Sequence, residues 1–310
     1  QYTIAYFYCN EPVQFAKKLI EITPGDFDKK VLFTNCGSES NDGAIKIARA
    51  YTGRSKIISF FEGYYGSTYG ALSLSAISLN MRKKIGGLLP DVYHFNYPTC
   101  ARCKYGKTEQ NCCLECLKEI EYAFNYYLPS EEVAAVFFEP IAGDAGLVVP
   151  PVKYVQALHK LCKEHGILFV VDEVQQGFGR TGKWFAIEHF GVTPDMITMG
   201  KSLGAGFPMG AIIGRSEIMD SLDTPGHLFT MAGNATISQA ALKMIEIIER
   251  YKLVERSAEL GKYMMDRLHG MKDKYDVIGQ IRGLGMSIAV DLVKDLKTME
   301  KNYEAAAKIS

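Results

Sequence analysis

Short apolar runs rich in β-branched and aromatic residues recur between positions 31 and 214, separated by longer stretches of helical period. The runs are VLFTN (31–35), KIISF (56–60), VYHFN (92–96), AAVFFE (134–139), ILFVVD (167–172), MITMG (196–200) and GAIIG (210–214). Several are apolar at every position instead of every second one. Strands of that kind are buried on both faces, as in a mostly parallel sheet covered by helices on both sides. Helical patterns lie at 39–51, 115–127, 152–165 and 234–250, and Gly53 is placed to cap the first of them. The alternation predicts a doubly wound α/β domain. From about residue 246 the pattern changes. IIERYKLVERSAELGKYMMDRLHGMKDKY predicts one long helix, and MSIAVDL a short strand after it. A large α/β domain over 1–245 and the start of a smaller C-terminal domain over 246–310 are therefore expected. No internal repeat or low-complexity tract is present.

Composition narrows the partners. Lys plus Arg and Asp plus Glu each number 35, so the net charge is +0 and no overall basic field exists for nucleic acid or an anionic membrane. No apolar run approaches the roughly 20 residues of a transmembrane helix. The opening QYTIAYFYCNEP lacks the basic front and long apolar middle of a signal peptide, and it lacks a Met. The closing EKNYEAAAKIS stops inside a helical pattern, so pieces are expected to be missing from both ends. The eight cysteines are expected to be reduced thiols of a cytoplasmic protein. Five of them cluster in CARCKYGKTEQNCCLEC. There Cys100-x2-Cys103 and Cys113-x2-Cys116 have the two-pair spacing of a small zinc knuckle, although the 9 residues between the pairs are fewer than in most. The alternative is a surface excursion with spare thiols.

Four features bear on chemistry, and each has an ordinary explanation taken alone. In FTNCGSES a strand runs into a helix through Gly37 and Ser38. The N–H groups there form a cup for a phosphate, or simply a helix start. An apolar strand ends at Asp172, where a carboxylate needs a cationic partner or else caps the next segment. Lys201 ends a second apolar run. Partial desolvation there would lower its pKa and make its amine a nucleophile; a surface lysine is the alternative. Tyr64, between glycines in GYYGSTYG, offers a face for stacking or for packing. Together they form one set: a phosphate cup, an aromatic face, an acid for a ring nitrogen and an amine for an aldehyde. The ligand that answers all four is pyridoxal 5'-phosphate.

These motifs, with FFEPIAGDAG, VVDEVQQGFGRTG, MGKSLGAGFPMGAIIG and FTMAGN, resemble the class III aminotransferase family of fold type I pyridoxal-phosphate enzymes over nearly the whole chain. The resemblance implies that Lys201 forms the Schiff base with the cofactor and that Asp172 pairs with the pyridine nitrogen. It also implies that Val174 packs on the ring opposite Tyr64, that Gln175 approaches the phenolic oxygen, and that Glu139 sits beside the site. Gly37 and Ser38 are implied to bind phosphate, joined by Thr230 from the neighbouring subunit of a homodimer or dimer of dimers.

The chain departs from the family pattern at Tyr65, where a His is usual, and at Asp144, where a Glu is usual. The Arg that often pairs with that Glu cannot be located before the chain ends. Asp144 is a candidate second acid. With Lys201 on one face of the substrate and Asp144 on the other, an amino acid could be inverted; with Lys201 alone, an amino group would be transferred. GDAG, the cysteine-bearing insert and LFTMAGN resemble the amino-acid racemase and isoleucine 2-epimerase branch. Inversion of an aliphatic amino acid is thus expected, with amino transfer to a 2-oxo acid as the alternative and an inactive scaffold as a remote one. Tyr64, Phe178 and Phe207 are expected to favour an aliphatic substrate.

Overall fold

A computed structural model describes residues 7–108 and 110–309. The seven apolar runs form one sheet: β1 (Lys29–Thr34), β2 (Lys56–Phe60), β3 (Val92–Phe95), β4 (Val133–Phe138), β5 (Leu168–Asp172), β6 (Met196–Met199) and β7 (Gly210–Arg215). Their order is β1-β7-β6-β5-β4-β2-β3. Only β7 runs against its neighbours, pairing antiparallel with both β1 and β6; the remaining pairs are parallel. The mostly parallel α/β architecture of fold type I enzymes is therefore present.

Alternation explains why whole strands are apolar. In β4, Val136 and Phe138 enter one core cluster while Ala135 and Phe137 enter another; in β5, Phe169 and Val171 separate in the same way from Leu168 and Val170. Successive strand residues point to opposite faces, so two apolar layers demand an unbroken apolar run. One layer takes the helix α1 (Asn10–Ile22) and the helices Glu115–Tyr126, Val152–Glu164 and Ala235–Arg250; the other takes α2 (Gly37–Thr52). Helix α1, absent from the expectation, buries Phe15 and Leu19 on its inner stripe. Among the described residues no helix is long and apolar enough to cross a membrane.

Beyond β7 the reading changes. The helix expected over 234–250 is Ala235–Arg250, whereas the long helix expected from about residue 246 begins only at Leu253 and runs to Lys272, with Lys252 between the two at φ +48. The Tyr251 N–H still bonds the Ile247 carbonyl four residues back, but the Lys252 N–H bonds the Glu249 carbonyl only three back, and the left-handed residue turns the chain. The second helix lies against an antiparallel sheet of order β10-β9-β8, made of β8 (Ile278–Leu284), β9 (Ser287–Asp295) and β10 (Glu300–Lys301). Only β9 was legible; Gly279 and Gly283 dilute β8.

This second sheet is docked on the loop after β5. The Ser287 hydroxyl donates to Gln176 Oε1 at 2.6 Å, and the Met286 N–H to the Arg180 carbonyl at 3.0 Å. Backbone meets backbone here: a Cβ on Gly261 would collide with the carbonyl of Gly285. Helix propensity alone would make Gly261→Ala stabilising by about 1 kcal/mol. Overpacking against backbone costs about 1–3 kcal/mol and should win. Urea unfolding is therefore expected to show Gly261→Ala less stable than the parent; a more stable variant would refute the close approach.

Candidate active site

Strand ends β5 and β6 and the start of α2 open onto one cavity of about 440 Å³, within the roughly 300–1,000 Å³ usual for small-molecule sites. Gly37, Ser38, Tyr64, Glu139, Asp144, Asp172, Val174, Gln175 and Lys201 all line it. Thr230 does not; it is exposed, outside this chain's own cavity.

Asp172 is the last residue of β5 and is 5% exposed. Its two oxygens accept from Asn41 Nδ2 at 2.7 Å and from the Val174 N–H at 2.9 Å. Asn41 stands on α2, donates also to the Tyr65 carbonyl at 2.7 Å, and accepts from the Thr198 hydroxyl at 2.9 Å. Burial pushes the Asp172 carboxyl up to about 6, against the pull of Asn41, the Val174 N–H and the Lys201 charge.

The first turn of α2 faces the same cavity. Its N-cap is Cys36, and no side chain caps it. Its leading N–H groups are thereby available to an anion, with the helix dipole adding to the attraction. The Ser38 hydroxyl accepts from the Ser67 N–H at 3.2 Å, which leaves its own proton to donate. Glycine is required around this cup. A Cβ on Gly37 would stand 2.7 Å from the Val174 side chain, and one on Gly66, at φ +135, would run into Ser38.

Lys201 departs from its expectation. The sequence predicts a desolvated amine, yet the side chain is exposed. The strand ends at Met199, and the chain leaves the sheet at Gly200 in a single 3-10 turn, so the lysine lines the open cleft instead of the core. Its backbone sits at φ +45, a left-handed conformation that costs a non-glycine residue about 1 kcal/mol.

Glu139 ties two loops together. One oxygen accepts from the Tyr64 N–H at 2.8 Å and the other from the Gly143 N–H at 2.9 Å. Burial, with the charges of Asp172 and Asp144 adding to it, pushes this carboxyl up to about 8. Asp144 is exposed on the turn beyond Gly143, with the Gln175 amide 3.5 Å away. Tyr65, at the departure from the family pattern, is a core residue. Its ring packs edge-on to Phe137 and its hydroxyl donates to the Phe137 carbonyl at 3.1 Å. Phe207 lines the cavity, but Phe178 does not: it is buried against Phe185, so the expectation that it faces substrate is corrected.

The sequence model of the aminotransferase class-III family matches residues 2–309. The chain belongs to the class III aminotransferase family. It is 50% identical to a leucine/methionine racemase of Thermococcus litoralis over 99% of this chain and 69% of that protein. It is 47% identical to an isoleucine 2-epimerase of Lentilactobacillus buchneri over the same shares. A probable 4-aminobutyrate aminotransferase of Bacillus subtilis is 40% identical over 96% of this chain and 68% of that one. Among solved structures, a Bacillus anthracis aminotransferase superposes with a TM-score of 0.91 at 32% identity, over 99% of this chain and 71% of that one.

The cofactor of this class III family member is pyridoxal 5'-phosphate, and the cavity's donor set fits it. An uncapped helix start suits a phosphate, a buried carboxyl suits a protonated ring nitrogen, and an amine suits an aldehyde. Asn41 was not anticipated from sequence. Its signal, a polar residue on the inner face of an otherwise apolar helix stripe, is common to many buried asparagines. The cysteine insert is separate. Cys100, Cys103, Cys112 and Cys116 line a second cavity of about 210 Å³, while Cys113 is exposed. Among the described residues no three His, Cys, Asp or Glu groups are arranged to hold a metal ion.

Glu139 keeps its proton in the folded protein over a pH range in which the unfolded chain has lost it. Stability is therefore lost as pH rises from 4.5 to about 8. Cofactor-free Glu139→Gln should start below the parent at low pH, having lost an acceptor, and then gain on it through that window. Unfolding curves at a series of pH values check this; a pH-independent gap would refute the raised carboxyl.

Proposed function

We propose that the protein is a pyridoxal-phosphate-dependent amino-acid racemase or 2-epimerase that inverts the α-carbon of an aliphatic amino acid. The observation that carries this reading is that Lys201 and Asp144 line the same cavity as Asp172. A base and an acid are thereby available to one substrate carbon. The similarity to proteins named leucine/methionine racemase and isoleucine 2-epimerase supports it.

When bound, the cofactor supplies an electron sink that makes the substrate's α-proton acidic. The protein's own groups do the rest. Ionised Asp172, its oxygens held by Asn41 and the Val174 N–H, would balance a protonated ring nitrogen. Gly37 and Ser38 would hold the phosphate, joined by Thr230 from the neighbouring subunit. Tyr64, Val174 and Gln175 would hold the ring. Lys201 Nζ takes the α-proton from one face, and the Asp144 carboxyl returns one to the other. In the reverse direction the two exchange roles.

The protein works as a homodimer or dimer of dimers in the cytoplasm. Thr230 lying outside its own cavity supports the shared site, and eight free cysteines suit a reducing compartment. The large domain is taken to end near residue 245, just before the chain turns at Lys252. The second reading is amino transfer to a 2-oxo acid, favoured by the likeness to a 4-aminobutyrate aminotransferase.

Incubation with L-isoleucine separates the two. Inversion yields D-allo-isoleucine with no acceptor present; transfer yields glutamate and requires 2-oxoglutarate. Asp144→Ala should lower inversion by about 10²-fold or more, the usual contribution of a general acid. Racemisation by that variant at the parent rate would remove Asp144 from the mechanism.

A further inference from the structure

Asp144 has little of its own to hold it. Its side chain is exposed, and its nearest polar partner, the Gln175 amide, stands at 3.5 Å. Where the carboxyl lies is therefore set by the backbone of its turn. The turn is closed at its base by reciprocal N–H to carbonyl bonds of 3.0 Å between Ala142 and Val148, and at its tip by the Gly146 N–H donating to the Gly143 carbonyl at 3.0 Å. Two side chains anchor it from outside. Glu139 accepts from the Gly143 N–H, and Arg282 Nε donates to the Gly146 carbonyl at 2.7 Å.

The second anchor comes from the other sheet. Arg282 lies on β8, 136 positions along the chain from Gly146. Gly146 sits at φ +102, and a Cβ there would stand 2.7 Å from Arg282 Nη2, so the approach needs a glycine. Arg282 is itself fixed. Its Nη1 reaches Gln280 Oε1 at 3.2 Å and Asp291 Oδ2 at 3.3 Å, and that Asp291 oxygen also takes Arg102 Nη1 at 2.6 Å. Burial opposes the charge on Asp291, but the two guanidinium groups outweigh it and hold its carboxyl below the usual range. The network is mostly buried and charge-assisted, the kind that keeps one geometry.

We propose that Arg282 is a positioning residue: through the Gly146 carbonyl it sets where Asp144 stands over the cavity and so governs return of the proton to the second face. The inference rests on the reading that Asp144 is the second-face acid. Lys201 sits on a different element, the turn after β6, whereas the hydrogen bonds of Arg282 go to Gly146, Gln280 and Asp291. Proton removal at Lys201 is thus separable from inversion at Asp144.

The test uses purified holoenzyme with L-isoleucine in deuterated water, following α-proton exchange with retention and conversion to the D-allo form separately. In Arg282→Met, exchange with retention should stay within a few-fold of the parent while inversion falls by about 10²-fold, the cost of an ångström-scale misplacement. Arg282→Lys should not restore inversion, because an ammonium cannot donate as the planar fork does. Adding Arg282→Met to Asp144→Asn should cost little further inversion, since both act through one carboxyl. Should Arg282→Met fail to fold, Gly146→Ala displaces the same guanidinium and is expected to show the same split. Equal loss of exchange and inversion, or loss of neither, would overturn the proposal. If Asp144→Asn inverts at the parent rate, the underlying reading fails, whatever Arg282 does.

Discussion

A carboxyl group buried at the end of a central strand must be held by something, or it stays protonated. Asp172 is held by an amide from α2 and by the N–H two residues further on, and burial still keeps it well above the usual carboxylate range. Its charge is fully compensated only when a cation stands opposite. That is the physical reason a protonated heterocycle suits this cavity and a neutral ligand does not. The amide that orients Asp172 also fixes the Tyr65 carbonyl and takes the Thr198 hydroxyl, so the strand ends β5 and β6, the helix and the aromatic loop share one hydrogen-bond hub.

The same economy appears in the loops. Glu139 joins the Tyr64 loop to the Asp144 turn, and Arg282 joins that turn to the second sheet. Elements distant in sequence are thus brought to one cavity by single side chains acting on backbone groups. Glycines at 37, 66 and 146 allow the approach, each in a place where a Cβ would meet another residue. The strain at Lys201 belongs to this pattern. A lysine at φ +45 is paid for by the surrounding sheet, and the return is an amine at the mouth of the cavity.

Much of the fold was readable because two buried faces write an unbroken apolar run, and each of the seven runs became a strand within two residues of its expected ends. The cavity was readable in outline because strand ends are where open α/β sheets place their ligands. What was not readable depends on contacts across long stretches of chain. Asn41 lies 131 positions from the carboxyl it holds, and Arg282 lies 136 from the carbonyl it anchors. Local composition carries no trace of such pairings. Lys201 was expected to be desolvated because its strand is apolar; the turn at Gly200 carries it out of the sheet. The long helix failed at Lys252 for want of any breaker in the sequence, its left-handed residue being one that propensity does not mark.

The account stands on one covalent expectation: that the amine at the end of β6 bonds the cofactor aldehyde while Asp172 balances the ring. Reducing the pyridoxal-phosphate-loaded protein with borohydride and mapping the modified peptide by mass spectrometry tests it most directly. The account predicts a stable adduct on Lys201. An adduct confined to any other lysine, with Lys201 unmodified, would contradict it.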